Sequence, residues 1–367
     1  MFSPSQIKDA LKEVIHPEKN INIVDLGMVT GIESDDSGIT ITLTPSSPND
    51  PFLNSIKSTI VKALKNSLGP DAVIREIILP AKKAPAVTAP KEGSGIPGVK
   101  NIIAVASGKG GVGKSTIAVN LAVALGLKGY EAGLLDADIF GPSAPLMMNA
   151  KDFRPETRRE NGKDIITPLS RYGIKVLSIG FFIDPDDAVI WRGPMASNFL
   201  KQMISMGNWG NLDFLVIDLP PGTSDIHLTL VQELAVTGAI IVSTPQEVAL
   251  ADAVKGIAMF RSEKINVPVL GIVENMSWFT PAELPSNKYY IFGREGCRTL
   301  SEKLDVPLLG QIPLVQSIRE GGDTGHPVVL DSINPTSEAF LSLAAEVVEK
   351  VNQRNINQKP TERVKIN

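Results

Sequence analysis

The run GKGGVGKST spans residues 108–116, and it constrains the chain more than any other stretch. It fits the spacing G-x-x-x-x-G-K-[ST] over 108–115, the pattern of a phosphate-binding loop. An apolar run at 102–106 precedes it and reads as a buried strand; residues 117–125 follow and read as a helix. Gly108, Gly110, Gly111 and Gly113 let the backbone turn tightly and approach a polyphosphate with no Cβ in the way. The backbone N–H groups, that of Val112 among them, then point inward at the positive end of the helix. Lys114 is placed to reach β- and γ-phosphate oxygens, and the Ser115 hydroxyl to ligate Mg²⁺ with Thr116 beside it. ATP and Mg²⁺ are the expected ligands.

The chain has 367 residues, long enough for two domains. Its formal net charge of −4 argues against a dedicated nucleic-acid binder. No apolar run is long enough for a membrane span, and the start MFSPSQIKDALKEV lacks a basic segment followed by an apolar core. With one cysteine, Cys297, no intrachain disulfide forms, so the cytoplasm is the expected compartment.

Residues 80–98, rich in Pro, Ala, Gly and Lys, read as a flexible, partly extended linker. Before it, residues 1–80 read helix, strand, strand, helix, strand, a small α+β domain. The first helix is expected over 5–15, and residues 23–29 are expected to lead into a short strand. Beyond the linker, strands are expected at 102–106, 132–136, 174–179, 213–217, 238–243, 267–273 and 308–312. Helices are expected at 114–128, 193–206, 225–236, 247–262, 294–304 and 335–353. This alternation predicts an α/β domain over 99–353 with a mostly parallel, doubly wound sheet and its ligand at the carboxyl ends of the strands. Residues 354–367 are polar and expected to fray.

Three further strand ends carry polar groups. Asp136 and Asp138, two apart, face one side of a strand end. Asp218 closes the apolar strand 214–217 as a Walker B element does, and the following Pro-Pro-Gly places Gly222 to offer its N–H to a γ-phosphate. Asn275 has the donor and acceptor needed to read an adenine edge, or else caps its strand; Pro313, on the next strand, is placed to pack on the base.

Together these pieces resemble the Mrp/ApbC family of iron–sulfur cluster carriers, P-loop NTPases of the deviant Walker A group that also holds MinD and ParA. The match rests on ASGKGGVGKST, LLDADIFGPS, WRGPM (191–195), DLPPGTSD and VENMSWF, in the family's order. The segment IVDLGMV (23–29) followed by Leu43-Thr44-Pro45 resembles the MIP18-like domain often fused to it. The resemblance implies a homodimer closed by ATP, with Lys109 reaching the partner's nucleotide. It gives Asp138 the attacking water, Asp136 the Mg²⁺ shell, and Lys109, Lys114 and Asp138 the catalysis. It implies slow hydrolysis and transfer of clusters to apoproteins, alongside cluster assembly proteins, with no nucleic-acid or membrane partner.

The departures concern thiols. Many members carry Cys-x-x-Cys after the ENMS-type segment; here residues 279–285 read FTPAELP. Ser47 stands before Pro48 where the small domain often has a cysteine. Cys297 is either a cluster ligand or a small buried structural side chain. The alternative function is a nucleotide-switched scaffold for apoproteins that holds no cluster; a third is a positioning ATPase of the MinD/ParA kind. Phe199, Met203 and Met206 form a core or dimer stripe, and Tyr289–Phe292 is either a binding surface or buried.

Overall fold

The computed structural model describes residues 2–17, 19–35, 38–44, 53–69, 72–78, 95–160, 162–183, 193–222, 225–281, 284, 287–331, 335–361 and 363. The chain divides into two compact units, residues 1–82 and 83–367. Most of the expected linker (80–94), the Ser47-Pro48 pair, and Trp191 and Arg192 lie outside the described residues.

The first unit runs α1 (Pro4–Leu11), β1 (Val29–Asp35), β2 (Gly38–Leu43), α2 (Leu53–Leu68) and β3 (Ile74–Ile78), with its strands in the order β1-β2-β3. Ser3 starts α1 with a capping box: its Oγ accepts from Gln6 N at 3.3 Å while its own N–H donates to Gln6 Oε1 at 3.0 Å. The helix ends at Leu11, short of the expected 15, because Val14 turns into the core and its carbonyl accepts from Ile23 N. Residues 23–27 are a turn that leads into β1, as expected. Asn22 Oδ1 accepts from Asp25 N at 2.8 Å, and Gly27 takes a left-handed φ of 69°. Along β2, Ile39, Ile41 and Leu43 alternate into the core beneath α1 and α2.

The second unit contains β4 (Val99–Ala106), α3 (Lys114–Leu127), β5 (Ala132–Asp136), α4 (Ala144–Met147), β6 (Thr157–Glu160), β7 (Lys163–Ile166), β8 (Leu169–Arg171) and β9 (Ile174–Ser178). It continues with α5 (Gly193–Met206), β10 (Leu212–Asp218), α6 (Asp225–Glu233), β11 (Gly238–Ser243), α7 (Glu247–Arg261) and β12 (Val269–Phe279). Last come α8 (Gly296–Leu304), β13 (Leu308–Leu314), α9 (Gln316–Thr324) and α10 (Pro335–Asn357). Among the described residues the main sheet has eight strands in the order β13-β12-β11-β4-β10-β5-β9-β8, parallel except for the antiparallel edge strand β8. This is the expected α/β architecture.

Both faces of the sheet are covered. Ile103 and Val105 of β4 point to one side, where α3 and Phe340, Leu343 and Val347 of α10 pack. Ile102, Ala104 and Ala106 point to the other, against Leu200 and Met203 of α5, Leu230 of α6 and Ile257 and Phe260 of α7. Central strands sandwiched this way read as unbroken apolar runs. The stripe on α5 is core: Met203 is buried, with Phe199 and Met206 packed around it.

The helix α10 runs four residues past the expected 353, and its continuation does not fray at 354–361 or 363. Arg354, buried, donates to the Lys359 carbonyl at 2.8 Å and to Thr361 Oγ1 at 2.7 Å. Asn355 donates to Asn101 Oδ1 at 2.8 Å, and Arg363 to the Gly95 carbonyl at 3.3 Å.

Candidate functional site

Three parallel strands, β4, β10 and β5, end side by side, and the candidate site lies at their carboxyl ends. In register, Asp218 pairs with Asp136 across β10 and β5, and with Val105 across β10 and β4. The loop 107–113 leaves β4 and enters α3 through Gly113, which takes φ 81° where an L side chain is strained. A Cβ on Gly113 would meet Asn275 Nδ2, and one on Gly108 would meet the Asp252 carbonyl at 2.2 Å. These two glycines are demanded by close approach. Ser107 Oγ folds the loop back by donating to the Lys109 carbonyl at 2.9 Å.

Lys114 is buried under this loop. Its Nζ lies 2.6 Å from Asp218 Oδ1, 3.3 Å from Asp138 Oδ2 and 3.2 Å from Ser115 Oγ. The structure therefore brings Lys114, Ser115, Asp138 and Asp218 into one cluster. Burial pushes the Asp218 carboxyl above its usual range, with Lys114 pulling the other way. Asp138 Oδ1 is buried with no hydrogen-bond partner. Such an atom is costly to leave unmet and marks where a water or ligand belongs. Thr116 and Lys109 are half-buried.

Asp136 stands one step behind. Its Oδ1 accepts from Asp138 N at 3.1 Å, and its Oδ2 from Ala144 N at 3.0 Å and Ser178 Oγ at 2.9 Å. Loss of water, then the Asp218 charge, push its carboxyl up to about 7. Both oxygens are engaged in shaping the segment 136–144, and the bond from Asp138 N lets Asp136 orient that residue. Ser178 was not legible as a site residue; its one signal is a polar residue ending the apolar strand β9 in register with Asp136.

Three expected roles meet a different geometry. Asn275 Nδ2 donates to the Val112 carbonyl at 2.8 Å, so the side chain braces the loop from below. A bulge sends it there: β12 shifts register after Asn275, and Met276 takes a left-handed φ of 56°. Gly222, at φ 80°, donates its N–H to the Ser107 carbonyl at 2.9 Å, so that donor is already engaged. Pro313 sits in β13, three strands away from β4 at the sheet edge.

Of the two places expected for Cys297, the structure gives it the buried one. It is fully buried at the start of α8, its N–H donates to Glu274 Oε2 at 2.8 Å, and its Sγ lies 3.9 Å from the Thr244 carbonyl. Burial, then the Glu274 charge, push the thiol well above its usual range. A buried thiol that keeps its proton is a core side chain. Among the described residues no group of three or more His, Cys, Asp or Glu is arranged to hold a metal ion. None of their helices is long and apolar enough to cross a membrane.

Residues 98–348 match the ParA family, described as NUBPL iron-transfer P-loop NTPase, and residues 4–74 match a family described as iron-sulfur cluster assembly protein. An iron-sulfur cluster carrier protein from Synechocystis is 42% identical over 96% of this chain and 98% of its own length. One from Haemophilus influenzae is 44% identical over 94% of this chain and 90% of its own. A solved nucleotide-binding protein from Archaeoglobus fulgidus, in complex with ADP, is 35% identical with a TM-score of 0.56. It covers 66% of this chain and 92% of that one.

Proposed function

The chain belongs to the ParA family of NUBPL-type iron-transfer P-loop NTPases, and from that premise we propose that it is a slow Mg²⁺-dependent ATPase whose nucleotide state controls delivery of iron–sulfur clusters to apoproteins. It works in the cytoplasm as a homodimer alongside cluster assembly proteins. Residues 1–80 act as the MIP18-like domain, 81–98 as the linker and 99–353 as the ATPase domain.

The observation that carries this reading is the buried Lys114 held between Asp218 and Asp138, under a loop in which Gly108 and Gly113 leave no room for a Cβ. A polyphosphate entering the loop supplies the anion that Lys114 otherwise takes from the two aspartates. Ser115 is the residue of this set suited to Mg²⁺, which supplies charge neutralisation at the phosphates. Asp138, freed on one oxygen, orients the attacking water. Lys109, half-buried at the loop's edge, is left to the partner's nucleotide. Asn275 keeps the loop in shape, and Gly222 gives up Ser107 when it turns to a γ-phosphate.

The thiol count favours a second reading of the cargo step. The chain has one cysteine, and it is buried with its proton. Two copies fall short of the four thiolates of a simple cluster site. The residues present do not fit a cluster held on the chain's own thiolates, which favours a nucleotide-switched scaffold that binds apoproteins.

Turnover of wild type, Lys114→Ala and Asp138→Ala tests the ATPase: loss of binding in the first, and binding without hydrolysis in the second, are expected. Equal turnover in all three refutes it. Anaerobic reconstitution with iron and sulfide, counted per dimer in wild type and Cys297→Ser, tests the cargo step. Stoichiometric cluster lost in the variant would overturn the placement of Cys297 in the core.

A further inference from the structure

A cavity of about 340 Å³ lies at the far end of α4 from Asp136, between the end of that helix, β8 and the end of α9. Its volume is within the range of small-molecule sites, about 300–1,000 Å³. Leu146, Phe153 and Leu169 give it apolar walls. Phe153 is fixed edge-on to the buried Phe181, with centroids 5.1 Å apart.

The charges around it are unevenly committed. Asp323 is paired with Arg319 at 2.8 Å. Arg171 makes no ion pair among the described residues, and its Nε is buried without a hydrogen-bond partner. Its guanidinium lies over the Tyr172 ring, 5.0 Å from the centroid. Lys151 and Asp152, adjacent and exposed on the rim, offset each other in charge. The uncommitted group facing the cavity is thus a planar, oriented cation, which suits an oxyanion.

The backbone around the cavity is held in a costly shape. Tyr172 and Gly173, at φ 51° and 75°, form the two-residue turn between β8 and β9, a turn that favours Asn-Gly. A tyrosine there is strained, and its hydroxyl donates to the Gly325 carbonyl at 2.6 Å. Gly325 is itself left-handed and abuts Asn149, a fourth left-handed residue; a Cβ on Gly325 would lie 2.5 Å from Asn149 N. The strained turn thereby ties the β8–β9 hairpin, the end of α9 and the end of α4 together around one space. Strain kept in this way points to a site.

We propose that this cavity binds a small molecule with an oxyanion on an apolar, aromatic-sized body, the oxyanion on Arg171 and the body between Phe153 and Leu169. The site is separate from the phosphate loop.

The test uses the full chain saturated with Mg·ADP, so that the phosphate loop is not the receptor. The probe is 4-fluorobenzoate, followed by ¹⁹F NMR titration, with neutral 4-fluorobenzamide as its control and phenyl phosphate as competitor. A dissociation constant near the millimolar range is expected for so small a ligand. Arg171→Met should weaken it at least about tenfold, and Arg171→Lys should weaken it less, since it keeps the charge and loses the fork. Tighter binding by phenyl phosphate assigns the site to phosphate esters, and tighter binding by fluorobenzoate to carboxylates. Equal binding of the benzamide, unchanged affinity in Arg171→Met, or no binding of either anion up to about 10 mM overturns the proposal.

Discussion

Removing the Lys114 ammonium should unsettle the nucleotide-free fold as well as the chemistry. Its Nζ lies 2.6 Å from Asp218 and 3.3 Å from Asp138, and all three side chains are at most 10% exposed. At an effective dielectric of about 20 those separations correspond to attractions of about 6 and about 5 kcal/mol. Desolvation of three buried ions takes back most of that, and what a deletion exposes is the uncompensated remainder. Lys114→Ala leaves two neighbouring carboxylates, with Asp136 behind them, and should cost about 3–5 kcal/mol at pH 8. The buried Asp218 carboxyl, no longer held down by Lys114, responds by taking up a proton. Its folded-state affinity for it then lies further above the unfolded value, so stability is greatest at low pH and falls as pH rises. One extra proton changes stability by about 1.4 kcal/mol per pH unit, so the deficit at pH 6 should be smaller by about 1–3 kcal/mol. Urea titrations without nucleotide, read by fluorescence of the buried Trp209, measure both. Lys114→Ala/Asp218→Asn should recover about half of the loss at pH 8. A single variant within about 1 kcal/mol of wild type, or a deficit independent of pH, would refute the reasoning.

Other consequences are as direct. Asn275→Ala leaves the Val112 carbonyl unmet and should cost about 1 kcal/mol; nucleotide affinity should fall equally for ATP and GTP, and a loss confined to ATP would return Asn275 to base reading. Native protein at pH 8 should resist iodoacetamide at Cys297 and react once unfolded in urea, which mass spectrometry reads; rapid native labelling contradicts its burial. Asp136, pushed up to about 7 from an ordinary 3.8, binds a proton in the folded state that the unfolded chain has lost. On its account stability is full below about 4 and declines as pH rises to 7, by a few kcal/mol. Asp136→Asn should flatten that slope in urea midpoints between pH 5 and 8; an unchanged slope assigns it elsewhere.

The elements legible in the sequence are those whose pattern is local. Glycine spacing marks the loop, unbroken apolar runs mark β4, β5, β10 and β11, and acidic residues mark two of their ends. The missed elements carry no such pattern. All four residues of β6 are exposed, so no alternation shows. In α9 two adjacent glycines interrupt the helix and only Gly321 is buried. The site residue that escaped, Ser178, and the role of Asn275 depend on register and a bulge. Ser178 matters because β9 pairs with β5, and Asn275 turns beneath the loop because β12 bulges at Met276. The burial of Cys297 follows from Glu274 holding the start of α8, a contact between residues 23 apart in sequence.

The bond from Arg363 to Gly95 and that from Asn355 to Asn101 bring the two extremities of the described second unit together. A domain whose extremities touch is open to rewiring. Joining residue 363 to residue 95 through a short glycine-rich bridge, and reopening the chain at the exposed Gly162, would give a circular permutant with every strand of the main sheet in its present place. The same proximity bears on labelling: a fluorophore at residue 363 reports on the segment entering β4 and sits away from the loop 107–113 at the strand's other end.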